Sequence, residues 1–133
     1  MNFIVNYYVI DPTNIGDRLS APTNYFTFPE YHLKQLDIRQ PAMTTKGRHI
    51  IVGGGGLLFP RFLQNISVLT NLKEKQKLIA WGIGQQIYGQ PNRDNIKYFD
   101  YSKYLNHFDL IGIRDFGFTY NWVPCASCMH KSF

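Results

Sequence analysis

At 133 residues, 44% of them apolar and 16% aromatic, the chain is one domain's length with enough apolar material for a core, which excludes an intrinsically disordered protein. Fourteen Lys and Arg against nine Asp and Glu leave a net charge of +5, but the cations are scattered and only Lys73, Lys75 and Lys77 cluster. With no nucleic-acid motif beside it, that dispersion argues against a nucleic-acid partner, and no apolar run approaches the ~20 residues of a membrane span.

In chain order, the β-branched and aromatic stretch Phe3 to Ile10 reads as a buried first strand, ended by Asp11-Pro12. Lacking basic residues before it and carrying Asn2 and Asn6, it is not a signal peptide. A cytoplasmic location with reduced thiols follows, and the sequon at Asn65 is then a chance match. Asn14 to Leu19 reads as a turn into a short helix stopped by Pro22. Thr23 to Tyr31 is aromatic and unassigned, and the alternation from Leu33 to Ile38 suggests an edge strand.

The strand His49 to Val52 runs into four glycines, Gly53 to Gly56. Pro60 suits the first turn of a helix, and Phe62, Leu63, Ile66 and Leu69 line one face of it through Leu72. Lys77 to Trp81 reads as a strand broken by Gly82 and Gly84, and Gln85 to Asn95 as a polar loop. Tyr101, Tyr104, Leu105 and Phe108 mark a further helix, Asp109 to Arg114 a strand, and Trp122-Val123 a short last one. Strands alternating with helices through short joins imply an α/β, three-layer Rossmann-like domain with a mostly parallel sheet. No linker or repeat divides residues 1–133, so they form a single domain.

In such a sheet, the turns leaving the carboxyl ends of the strands share one rim, where ligands bind. Here those turns are Asp11 to Asp17, Gly53 to Gly56, Gly82 to Gln86, Arg114 to Gly117 and Cys125 to Cys128. Four consecutive glycines let backbone N–H groups approach a ligand, with the helix start behind them adding donors, or else they make a close-packed turn. Their spacing matches neither a Walker loop nor G-x-G-x-x-G, which disfavours a nicotinamide enzyme. Asn14 and Asp17 either cap the helix they precede or bind a sugar hydroxyl, with Asp17 as general base. Arg114 either faces a carboxylate or phosphate or pairs with Asp115 or Asp109. Cys125-x-x-Cys128 with His130 lacks the ligands for structural zinc, so site-lining or buried thiols are expected and no metal. His32, His49 and His107 read as structural.

The ordered set Asn14-Ile15-Gly16-Asp17, Val52-Gly53-Gly54-Gly55-Gly56-Leu57-Leu58, Trp81-Gly82-Ile83-Gly84 and Ile113-Arg114-Asp115, with the tail Trp122 to Cys128, resembles the polysaccharide pyruvyl transferase family over nearly the whole chain. The resemblance implies transfer of the pyruvyl group of phosphoenolpyruvate onto two hydroxyls of a glycan, sugar-nucleotide or lipid-linked sugar, forming a ketal in exopolysaccharide or cell-surface glycan synthesis. It implies a cleft between two Rossmann-like halves, as in GT-B glycosyltransferases, and no cofactor beyond the donor substrate. Asn14, Gly16, Asp17, Gly53 to Gly56, Gly82, Gly84, Arg114 and Asp115 carry over as cleft-lining positions. Members continue into a second domain that holds the donor-binding residues, whereas this chain stops at Phe133. The expectation is therefore an N-terminal half, not independently active, that works with a partner domain or as a homo-oligomer. The alternative is a non-catalytic carbohydrate- or nucleotide-binding domain.

Overall fold

The computed structural model describes residues 2–41, 47–72, 74–86, 91 and 93–131. Seven strands form one sheet: β1 (Phe3–Tyr8), β2 (His32–Asp37), β3 (His49–Val52), β4 (Gly55–Leu58), β5 (Leu78–Gln85), β6 (Leu110–Ile113) and β7 (Asn121–Trp122). Their order is β2-β1-β3-β5-β6-β7, with β4 alongside β5, and every pairing is parallel. This is the α/β, Rossmann-like arrangement that the alternation of elements implies, and β2 lies at an edge as its half-polar pattern requires.

The helices are α1 (Ile15–Arg18), α2 (Pro60–Thr70), α3 (Arg93–Lys97) and α4 (Ser102–Leu105). Pro60 opens α2, whose Leu63, Ile66 and Leu69 are buried against the sheet as the 3.6-residue spacing demands. At its far end the Lys75 ammonium donates to the carbonyls of Thr70 (2.9 Å) and Leu72 (3.1 Å), a cation meeting unpaired helix-end acceptors. The core joins Val5 and Tyr7 of β1, Ile50 and Val52 of β3, Leu78, Ala80 and Ile83 of β5, Leu105 of α4, and Phe108 beyond it.

Three expectations need correction. Gly53 to Gly56 is not one turn before a helix: after Gly53-Gly54 the chain resumes as β4, still beside β5, so α2 starts only at Pro60. Strand β5 does not break at Gly82 and Gly84 but runs through both to Gln85. It shifts register between Trp81 and Ile83, where Gly82 takes a positive φ of 67°. The segment read as a polar loop from Gln85 holds α3 from Arg93, although residues 87–90 and 92 lie outside the described set. A 3-10 turn, Pro22–Asn24, leads into the unassigned aromatic stretch, which seats Phe26 and Phe28 against Trp81, with ring centroids 5.1 and 6.4 Å away. Among the described residues, no helix is long and apolar enough to cross a membrane.

Candidate functional site

The rim holds two adjoining pockets. An inner one of about 280 Å³ draws its wall from four strand exits and the start of β4. They are Asn14, Gly16 and Asp17 after β1, Gln86 after β5, Arg114 after β6, and Cys125 and Ser127 after β7, with Gly55 and Gly56 opening β4. The outer one, about 290 Å³, shares Asn14, Asp17, Gly56 and Gln86 and adds Asp11, Arg39, Arg61, Phe59 and Phe62. Acids, amides, guanidinium groups and ring faces thus surround one cleft, the mixture that fixes a small polar ligand.

Asn14 caps α1: its side-chain oxygen accepts the Asp17 N–H at 3.2 Å. That bond orients Asp17, which stands half-buried between the two pockets. Its carboxylate lies 3.8 Å from where a Cβ on Gly55 would sit, so Gly55, at φ 97°, leaves the space over the acid open. Burial, reinforced by the Asp11 charge, holds the Asp17 carboxyl above the ordinary carboxylate range, against the pull of Arg39 and Arg114. Asp11 moves the opposite way, lowered by hydrogen bonds from the Thr13 hydroxyl (2.7 Å) and N–H (2.9 Å). Two carboxylates on one cleft are therefore pushed apart, and the raised one suits proton transfer.

Arg114 makes no ion pair with the aspartates proposed for it. Asp109 accepts the Leu78 N–H at 2.8 Å and Asp115 the Gln85 N–H at 2.6 Å, so both carboxylates tie neighbouring strands. Its guanidinium reaches the Gln85 carbonyl at 3.5 Å and turns into the inner pocket. Gly84 provides the room: a Cβ there would meet the Arg114 side chain and, at 2.7 Å, Asp115 Oδ2.

The other candidates lie behind the wall. Gly53 and Gly54 are buried, and their N–H groups are spent on protein carbonyls, Tyr7 and Ser20, both at 2.9 Å. A Cβ on Gly53, at φ 149°, would collide with the Trp81 carbonyl, and one on Gly54 would sit 2.7 Å from the Ser20 carbonyl. Gly82 leaves room for the Pro124 carbonyl, 2.8 Å from its absent Cβ. Of the sequence candidates, then, Asn14, Gly16, Asp17, Gly55, Gly56 and Arg114 line the rim pockets, while Gly53, Gly54, Gly82, Gly84 and Asp115 do not. Those five act through packing and strand-tying.

Asn6 was not singled out, and it anchors the whole arrangement. Fully buried in mid-β1, it donates to the Gly53 carbonyl at 2.7 Å and accepts from the Thr23 hydroxyl (2.9 Å) and N–H (3.2 Å). An amide inside an otherwise apolar strand is a visible signal, since a buried polar group must be satisfied. Ser20, also buried, donates its hydroxyl to the Asp17 carbonyl at 2.7 Å. Cys125 is a free thiol on the inner wall, 3.3 Å from the Ser127 hydroxyl, while free Cys128 is exposed. Of the histidines read as structural, His49 accepts the Lys77 N–H at 3.3 Å and His32 packs on Phe3 at 5.4 Å. Compared with family models, with curated proteins and with solved structures, the chain gives no match.

Proposed function

We propose that the chain is a polysaccharide pyruvyl transferase-like domain whose rim pockets take the sugar acceptor of pyruvyl transfer from phosphoenolpyruvate. The observation that carries this is the convergence of four strand exits and the start of β4 on one cleft, with Asp17 at its centre carrying a raised pKa. Ketal formation joins two sugar hydroxyl oxygens to C2 of phosphoenolpyruvate. The C2–O bond to phosphate breaks, and of the two hydroxyl protons one ends on C3 and the other on the departing phosphate. Each hydroxyl must lose its proton as it attacks, and a carboxylate of raised basicity on the cleft wall is a fit acceptor for it. Asn14 and Gln86 supply amides for neighbouring hydroxyls, Arg114 a fixed positive charge, and Phe59 and Phe62 apolar faces. In this reading the protein works in the cytoplasm, and the donor is gripped by residues outside this chain.

The test has two parts. The isotope-labelled chain is titrated with saccharides, and the amide signals of Asn14, Asp17, Gly55 and Gly56 are followed. The protein encoded by the whole gene is then given phosphoenolpyruvate with the same saccharides, and phosphate release is measured for wild type and Asp17→Asn. Saccharide-dependent release that falls about 10²-fold or more in the variant supports the assignment. Saccharide binding without any release would replace it with the non-catalytic carbohydrate-binding reading.

A further inference from the structure

The turn after β6, Arg114-Asp115-Phe116-Gly117, contains an apolar residue that the rim pockets do not use. Phe116 is 83% exposed and Trp122, on the edge strand β7, is 52% exposed. The two rings stack, with centroids 5.2 Å apart and planes within 7° of parallel. Their placement is fixed by backbone. The Trp122 indole N–H donates to the Arg114 carbonyl at 2.8 Å, and the Val123 N–H to the Ile113 carbonyl at 2.9 Å. Gly117, at φ 94°, closes the turn beside Phe116. The rings are thus held flat and presented to solvent rather than packed inward.

The pair is tied by its backbone to the cleft. Arg114, whose carbonyl holds the indole, lines the inner pocket, and Trp122 lies three residues before Cys125, which lines it too. Three extended residues span about 10 Å. We propose that Phe116 and Trp122 form an outer sugar subsite, a stacking platform for a saccharide chain whose reacting residue occupies the rim pockets. This rests on the rim being a glycan site. A pyranose ring has an apolar C–H face that lies on a flat ring while its hydroxyls stay in water, and a platform without charge fits that ligand better than an anion. Size argues against a protein occupant: two aromatic side chains bury about 300–500 Å² at most, against about 1,200–2,000 Å² for a stable interface.

The experiment compares wild type, Phe116→Ala and Leu110→Ala, the last removing another exposed apolar side chain, on β6. Neutral mono- and tetrasaccharides of glucose, galactose and mannose are the probes, and binding is read by chemical shift and calorimetry. A tetrasaccharide is expected to bind wild type about tenfold more tightly than its monosaccharide, equivalent to about 1.4 kcal/mol. Phe116→Ala should erase that margin and leave monosaccharide affinity unchanged, while Leu110→Ala changes neither. Unchanged tetrasaccharide affinity in Phe116→Ala overturns the platform and leaves the rim reading standing. Saccharides of neither length shifting Asn14, Asp17, Gly55 or Gly56 would defeat the rim reading, and the platform with it. Self-association that Phe116→Ala abolishes, without an effect on saccharide binding, would assign the rings to a second copy instead.

Discussion

Replacing Asn6 with Asp changes one NH₂ for one oxygen, at a position with no solvent exposure. The wild-type amide donates to the Gly53 carbonyl at 2.7 Å and more weakly to that of Ile51 at 3.4 Å, while its oxygen accepts two bonds from Thr23. A carboxylate keeps the acceptor side but sets a negative charge against the Gly53 carbonyl. Asn6→Ala, which merely deletes the amide, should cost about 3 kcal/mol, since a buried acceptor left unsatisfied costs about 1–3 kcal/mol and the Thr23 donors lose their partner too. Asn6→Asp should cost about 4 kcal/mol at pH 7, where the buried charge is uncompensated. Against a total of about 5–15 kcal/mol, either leaves the fold marginal.

The pH dependence separates the two variants. Burial raises the introduced carboxyl above the ~3.9 of an unfolded Asp, so the folded state binds the extra proton. The penalty therefore grows as pH rises from about 4 through the folded value, and it shrinks below that, where a protonated carboxyl again donates to Gly53. Urea unfolding followed by tryptophan fluorescence between pH 3.5 and 7.5 measures this (about 4 kcal/mol in range). If Asn6→Asp stays within about 1 kcal/mol of wild type at pH 7, or loses stability equally at every pH, the proposed anchoring of Gly53 is wrong.

Asp17→Asn should raise stability at pH 7, by up to about 0.5 kcal/mol. The folded carboxyl titrates above the ordinary 3.8 of an aspartate, so stability is lost as pH rises from there through the folded pKa, and the amide removes that loss. Thermal melts at pH 4 and 7 would show it, and a variant less stable than wild type at pH 7 would mean that the charge is favourably held. Gly53→Ala should cost about 3 kcal/mol or more, because its methyl meets the Trp81 carbonyl, a backbone atom that cannot step aside. Gly84→Ala meets side chains rather than backbone, that of Arg114 and the Asp115 carboxylate, so it should cost less, about 1–2 kcal/mol, while displacing that guanidinium from the pocket. Equal losses in the two would contradict the distinction between backbone and side-chain neighbours.

The strand exits were legible because each is a local event: an apolar run such as His49 to Val52 ends, and glycine or polar residues follow. The core face of α2 was legible for the same reason, its period lying in one short segment. What each glycine touches was not, because the answer sits elsewhere in the chain. Gly53 faces the carbonyl of Trp81 and Gly54 that of Ser20, so the two work as clearance for crossing backbones rather than as a cradle. Glycine's reputation as a breaker also hid β4, paired along β5, and the continuous β5, flanked on both sides, where neighbouring strands supply the pairing that local propensity lacks. The two glycines of that run that do face the cleft, Gly55 and Gly56, differ from Gly53 and Gly54 in nothing the sequence displays.

That division bears on how the cleft is built. The rim has few rigid parts of its own, since α1 is four residues long and the tail after β7 is a single 3-10 turn. Its geometry comes instead from buried bonds one layer down: Asn6 to Gly53, Gly54 to the Ser20 carbonyl, and the Ser20 hydroxyl to that of Asp17. These link β1, the glycine crossing and α1 into one chain of contacts ending at the main-chain carbonyl of Asp17, the residue whose carboxyl is held above its ordinary range. A half-buried acid whose charge is disfavoured, beside a second acid and backed by such a chain, is the feature on which the proposed proton transfer rests, and Asp17→Asn is the variant that tests it.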